Sequence, residues 1–197
     1  MRVTALVVCA AIACAGAALV AQDKKAAAPA KKEAAAPKAA SKAAPTDEEL
    51  IKKAMSGGPV GVAKDATIVA MSDDMKSSRT LRKGTNGYTC MVAGLDPMCA
   101  DDYGMAWFDA YMNKKDPAKG KVGFVYMLAG DHGASNTDPY AVKQTPTNNW
   151  VKTGPHVMIL GATGMTSAYP HDPKADPTKA YVMWPGTPYE HLMLPVK

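Results

Sequence analysis

The stretch GPHVMIL, residues 154–160, gives a clear indication of the fold. It is a short apolar run that follows a Gly-Pro turn signal, and such a run is typical of a buried β-strand. A second run of the same character, YEHLMLP, occupies residues 189–195. Each run places a histidine two residues before a methionine. We therefore expect two buried strands near the end of the chain, each with one His and one Met on the same face.

Five other segments have the β-rich or continuously apolar character of strands. They are ATIVAM at 66–71, RTLRKG at 79–84, GYTCMV at 87–92, KVGFVYMLAG at 121–130 and AYVMW at 180–184. The pair Asn86-Gly87 lies between the second and third of them and predicts a hairpin that joins these two strands. The stretch between 161 and 180 is rich in Pro, Asp and Lys, so we interpret it as a surface loop.

Two segments have helical character. In TDEELIKKAM, Glu49 follows Thr46 by three residues, which is the pattern of a capping box. In ADDYGMAWFDAYMNKK, the residues Tyr103, Trp107 and Tyr111 recur at helical spacing. Strands and helices do not alternate regularly along the chain. The sequence therefore predicts an α+β domain built on a mostly antiparallel sheet of about six strands with two helices.

The folded part of the chain is expected to hold one disulfide. Cys90 and Cys99 flank the segment MVAGLDPM, whereas the other two cysteines lie in the apolar run at the N-terminus. An even pair of cysteines in an exported chain predicts a disulfide, here one that closes a short loop. The spacing of this pair matches no common zinc motif.

Residues 1–21 have the pattern of a secretory signal peptide. Arg2 supplies a positive charge, an apolar run extends to Ala21, and the polar segment QDKK follows. One alternative is lipidation, because AIAC, which ends at Cys14, resembles a bacterial lipoprotein signal. A second alternative is a retained anchor, because the apolar run approaches membrane-spanning length. The sequence thus predicts export, with a periplasmic, envelope-anchored or secreted protein as the outcome.

Residues 22–46 are rich in Ala, Lys and Pro and predict a disordered linker, which leaves 47–197 as a single globular domain. The net charge of +5 lies outside this domain. Arg2 and the linker together hold seven basic and two acidic residues, and the domain holds sixteen of each. The domain is therefore neutral, so the sequence predicts no nucleic-acid partner. The N-terminal part is instead a candidate membrane tether.

The two His-x-Met pairs are a candidate soft-metal site. Residues two apart in a strand project from the same face, so His156 and Met158 share a face, as do His191 and Met193. If the two strands are neighbours, their imidazoles and thioethers form a donor set that suits copper as Cu(I). The alternative is that these residues are plain core, because Met fills cores readily and one backbone carbonyl can satisfy a buried His.

The polar segment AGDHGASNTDPYA, residues 129–141, directly follows a predicted buried strand, and such loops often carry function. We list Asp131, His132, Asn136, Tyr140 and Trp184 as candidate contacts to an organic ligand. Asp131 and His132, with Ser135 as nucleophile, are candidate catalytic groups of a hydrolase. The alternative is that the segment consists of ordinary turn formers.

These patterns favour an exported cell-envelope protein that binds a ligand. The ligand is a soft metal ion such as copper, an organic molecule or another envelope component. Two alternatives stay open: a small exported enzyme of hydrolase type that uses the segment 131–140, and a structural envelope protein without a small ligand. The sequence leans away from an enzyme because it has no Gly-x-Ser-x-Gly or similar catalytic motif.

Overall fold

The computed structural model describes residues 44–196. The predicted signal peptide and almost all of the predicted linker lie outside these residues. Four helices form within the described part: α1 Asp47–Met55, α2 Val60–Ala63, α3 Asp102–Met112 and α4 Thr163–Thr166. No helix in this range has the length and apolar character needed to cross a membrane.

The two predicted helices are confirmed, and each begins at a residue whose side chain caps it. Thr46 Oγ1 accepts a hydrogen bond from the backbone N–H of Glu49, and the Thr46 N–H donates to the Glu49 carboxylate, which completes the capping box. At α3 the carboxylate of Asp101 accepts from the N–H of Gly104 at 2.7 Å. These bonds satisfy donors that the first turn of a helix leaves free.

The centre of the fold is an eight-stranded sheet. Its strands are β1 Thr67–Met71, β2 Ser78–Arg82, β3 Thr89–Ala93, β4 Asp96–Ala100, β5 Gly123–Met127, β8 His156–Leu160, β9 Tyr181–Met183 and β10 His191–Pro195. Their order is β2-β1-β3-β4-β5-β8-β10-β9, and all pairs are antiparallel except β1 with β3. A separate ribbon pairs β6 Ala134–Ser135 with β7 Trp150–Val151.

The two faces of the sheet pack against different helices. On one face, buried residues of β1, β3 and β4 pack with α1 and include both Cys90 and Cys99. On the other face, Trp107 of α3 packs against a larger cluster that is rich in methionine. The result is a helix–sheet–helix arrangement in which successive residues of a strand enter different cores. This alternation puts the two His-x-Met pairs into the core beneath α3.

The predicted class is confirmed as a mixed α+β fold on a mostly antiparallel sheet with one disulfide, but the element counts differ. The described residues form ten strands, against seven segments with strand character and about six strands expected from the sequence, because β4 and the two strands of the ribbon were missed. No strand was predicted for residues 96–100, whereas Pro97 lies near the start of β4 and pairs with Val92. The helices α2 and α4 have four residues each, which is too short for a periodic pattern.

The predicted hairpin at Asn86-Gly87 is wrong. β2 pairs only with β1, and β1 lies between β2 and β3. The local turn does form, since Gly87 has φ +76° and the side-chain Oδ1 of Asn86 accepts a hydrogen bond from the N–H of Tyr88. However, this turn leads the chain past the start of β1, so β3 does not pair with β2.

The hairpin that does form here joins β3 to β4, and the disulfide lies across it. Cys90 and Cys99 are directly opposite each other in the register of these strands and are bonded, as predicted. Both side chains are buried beneath α1. The covalent link therefore pins the centre of the sheet at the face opposite the methionine-rich core.

Candidate metal centre

The two strands that carry the His-x-Met pairs are neighbours. β8 and β10 are antiparallel, with Met158 opposite Met193, His191 opposite Leu160 and His156 opposite Pro195. Residues that lie opposite each other in such a pair share a face, so all four candidate ligands face the core beneath α3. The methionines are adjacent at the middle of the pair, and the histidines lie towards opposite ends.

Each imidazole is held in one tautomer by a backbone carbonyl two residues before it. His156 Nδ1 lies 2.7 Å from the carbonyl oxygen of Gly154, and His191 Nδ1 lies 2.8 Å from that of Tyr189. A carbonyl oxygen can only accept, so Nδ1 carries the proton in both rings. In the neutral imidazole the lone pair is therefore on Nε2, and this arrangement is the usual one for a histidine that ligates a metal.

The two Nε2 atoms are buried and have no hydrogen-bond partner within residues 44–196. Both histidines are 0% exposed. Leaving a buried acceptor unpaired costs about 1–3 kcal/mol, so two such atoms on neighbouring strands need a reason. If these histidines were only core residues, one hydrogen bond to a backbone carbonyl would be expected to satisfy each of them. That bond is present in both, but it involves only Nδ1 and leaves Nε2 without a partner among the described residues.

Burial keeps both rings uncharged near neutral pH. It lowers the pKa of His191 to about 4, and a charge on His156 would lower it further. Burial likewise lowers the pKa of His156, although the carbonyl of Gly154 opposes this effect. Only a neutral imidazole has a lone pair on Nε2 to donate, so the site is prepared to bind a cation without first losing a proton.

A cavity of about 230 Å³ opens onto these atoms. Both histidines line it, together with five methionines: Met98, Met127, Met158, Met183 and Met193. Each of these methionines comes from a different strand of the sheet. The wall thus combines five thioethers and two imidazoles with the carboxylates of Asp96, Asp131 and Asp138.

The polar segment contributes two carboxylates to the cavity wall, those of Asp131 and Asp138. Asp131 lies beside His156, with Oδ2 3.9 Å from its Nε2, while Oδ1 accepts from the N–H of Thr153 at 3.1 Å. Burial raises the pKa of the Asp131 carboxyl group. The structure thus brings one residue of the predicted ligand loop next to the predicted metal ligands.

Aromatic rings close the side of the cavity near His191. The ring centroids of Trp184 and Trp107 lie 5.1 and 5.5 Å from that of His191, and both meet it edge to face. Trp184 Nε1 donates to the carbonyl of Ser135 at 2.7 Å, which fixes the indole. Trp184 was predicted as a wall of an organic ligand site, and the structure places it in the wall of the His–Met cavity.

The residues predicted for a hydrolase do not form a dyad or a triad. The ring of His132 contacts the carboxylate of Asp96 rather than that of Asp131, and its side chain is 64% exposed. The hydroxyl of Ser135 donates to the carbonyl of Asn148 and accepts from the N–H of Asp138. These contacts are those of a turn, and they give no support to a nucleophile at this position.

The other two loop residues also have structural partners. Asn136 is buried, and its amide donates to the carbonyls of Asp172 and Pro173. Tyr140 is 41% exposed, and its hydroxyl lies 2.8 Å from that of Tyr189. Tyr140 stacks on Tyr111 at the outside of the aromatic cluster and does not line the His–Met cavity.

Three methionines of the cavity were missed as candidates from the sequence. Met98, Met127 and Met183 carry no neighbouring histidine, so no repeated spacing marks them. The available signal was weak: each lies at an inward position of a short apolar strand segment. Only the strand order reveals that these positions meet beside His156 and His191.

No group of three or more His, Cys, Asp or Glu side chains that could hold a metal ion occurs in the part of the chain described. Comparisons with known proteins add nothing to this geometry. No protein-family model, curated protein or solved structure matches the chain.

Proposed function

We propose that this protein is an exported domain that binds a soft metal ion, Cu(I), in the cavity between α3 and the sheet. One observation carries the proposal. Two buried imidazole nitrogens, each with a free lone pair, line the same cavity as five thioethers. Imidazole and thioether donors together favour Cu(I) over Zn²⁺, Mg²⁺ or Ca²⁺, which prefer harder or thiolate ligands.

Export is part of the proposal and rests on two separate observations. The N-terminal residues have the composition of a signal peptide, and the folded domain contains a disulfide. Disulfides persist in oxidising compartments such as the periplasm. An envelope location also suits a site without thiolates, because methionine sulfur remains available as a ligand where thiols are oxidised.

The first test is a competition for Cu(I). The purified chain is titrated under nitrogen against a chromogenic chelator that holds Cu(I). We expect the protein to remove copper from the chelator, because the neutral imidazoles and thioethers are already arranged around the cavity. We expect the affinity of the double variant His156→Leu/His191→Leu for Cu(I) to be lower by a factor on the order of 100 or more, because both metal–nitrogen bonds are lost.

The matched control is His171→Ala, which removes a partly exposed histidine that lies outside the cavity. This variant should bind copper as the wild type does. The proposal fails if the wild-type protein leaves the chelator's copper untouched. It also fails if the double variant, with an unchanged circular dichroism spectrum, competes as well as the control.

A further inference from the structure

We propose that the cavity holds two soft ions, one at each imidazole, rather than a single ion shared by both. This inference rests on the proposed function and specifies how the site is divided. It replaces the simplest expectation from the sequence, in which His156, Met158, His191 and Met193 all bind one ion.

The strand register separates the two histidines. His191 lies opposite Leu160, which is four residues along β8 from His156. At about 3.3 Å per residue, the two α-carbons are offset by about 13 Å along the strands. Two nitrogens on one ion lie within about 4 Å of each other, because each metal–nitrogen bond is about 2 Å. Side chains stand nearly perpendicular to a sheet, so both rings would have to lean far along the strands to share one ion.

Each imidazole has a methionine directly opposite it on its other neighbouring strand. Met127 of β5 lies opposite His156, and Met183 of β9 lies opposite His191. Side chains in these positions have β-carbons about 5 Å apart, which places a thioether beside each ring. Each end of the cavity thus has its own nitrogen and its own sulfur.

The middle of the cavity supplies a sulfur to each end. Met158 and Met193 lie opposite each other between the two histidines, and each is two residues from the histidine of its own strand. Together with Met98, the cavity has seven soft donor atoms, five sulfurs and two nitrogens. Seven donors exceed the four of a tetrahedral site but suffice for two three-coordinate Cu(I) ions.

The two ends differ in chemistry. Asp131 places a carboxylate oxygen 3.9 Å from Nε2 of His156, whereas the ring of His191 is bordered by Trp107 and Trp184. Carboxylate oxygen is a hard donor that also tolerates Cu(II), and the end at His191 has soft and aromatic neighbours.

The stoichiometry tests the inference. Ag(I), a redox-inert analogue of Cu(I), is added to the purified chain, and the bound ions are counted by native mass spectrometry. We expect two ions per wild-type chain and one ion in each of the single variants His156→Leu and His191→Leu. A single bound ion that either substitution abolishes would overturn the division into two sites and leave the proposed function intact. No bound ion at all would overturn both.

Volume-conserving variants locate each ion without disturbing the core. In the His191→Leu background, Met127→Leu should lower the affinity for the remaining ion at least tenfold, and Met183→Leu should leave that affinity unchanged. In the His156→Leu background the two methionine substitutions should exchange their effects. Equal effects of both substitutions in both backgrounds would contradict two separate ions. The wild-type count does not depend on any variant, so the inference stays testable if one of them folds poorly.

Discussion

His191 is a fully buried base whose ring is hydrogen-bonded on one side only. Its Nδ1–H donates to the carbonyl of Tyr189, and burial lowers its pKa to about 4 from the ordinary value of 6.5. In the unfolded chain the ring returns to water and regains the ordinary pKa. Between these two values the unfolded chain binds more protons than the folded protein.

The metal-free protein should therefore lose stability as the pH falls from 6.5 towards 4. A depressed histidine pKa favours the folded state above the ordinary value, and acid removes that advantage. For a pKa of 6.5 in the unfolded chain and about 4 in the folded one, the loss between pH 7 and pH 4.5 is roughly 2 kcal/mol in the free energy of unfolding. Urea unfolding at pH 7 and pH 4.5, in the presence of a chelator, measures it.

The control for this prediction is His191→Leu, in which the titrating group is absent. Its free energy of unfolding should depend less on pH over the same interval, with a loss smaller by roughly 2 kcal/mol. If the wild-type protein and the variant lose stability in parallel as the pH falls, His191 is not the group responsible. Burial also lowers the pKa of His156, so this residue contributes an acid-induced loss of stability in both the wild-type protein and the variant.

At the level of single residues, the sequence could place His156 and His191 on the core face but could not show their partners. Strand periodicity is a local property, and it was sufficient for the inward orientation. The hydrogen bonds to Gly154 and Tyr189 depend on how the backbone turns before each strand. The contact of His132 with Asp96 joins residues 36 apart, so no local pattern could have revealed it.

Among the elements, the connection from β2 to β3 shows how local turn chemistry and strand pairing can diverge. Asn86 and Gly87 form the turn that their identities predict, but β1 occupies the position beside β3 that a hairpin would give to β2. The chain passes the start of β1 so closely that a β-carbon on Gly84 would lie 2.2 Å from the backbone of Ala66 and Thr67. A propensity for a turn does not choose the partner of the strand that follows it.

We expect Gly84→Ala to lower the free energy of unfolding by about 1–3 kcal/mol, because the methyl group meets backbone that cannot move aside. Gly61→Ala is the matched control, since a β-carbon there has no neighbouring atom within 4 Å among the described residues. Gly61 lies in α2, so alanine should raise stability by up to about 1 kcal/mol. Thermal unfolding of both variants measures the difference. Equal shifts would show that the close crossing at Gly84 is not a constraint.

For the molecule as a whole, the sequence predicted the class of fold and the presence of the disulfide but not the order of the strands. Apolar runs and capping residues identify elements one at a time. The order β4-β5-β8-β10-β9, which gathers five methionines around two histidines, is a property of long-range pairing. From the sequence, the candidate site was therefore visible only as two separate His-x-Met pairs, and the other three methionines of the cavity were not.

Binding at this cavity should stabilise the whole domain, because its walls come from α3 and from five strands of the sheet. An ion that binds only the folded state adds about 2.7 kcal/mol at a concentration one hundred times its dissociation constant. We expect Ag(I) to raise the midpoint of thermal unfolding of the wild-type chain. The variant His156→Leu/His191→Leu should show no rise, and a rise equal to that of the wild type would place the bound ion elsewhere.

The sulfur-lined interior also bears on chemical damage. Peroxide and hypochlorite convert methionine to a polar sulfoxide, which a packed core cannot accommodate without loosening. Met158 and Met193 are 9% and 1% exposed, so the intact domain shields them, and only a loosened chain presents them to an oxidant. A metal on a thioether occupies the electron pair that such oxidants attack. The loaded protein would therefore resist oxidative inactivation better than the metal-free one.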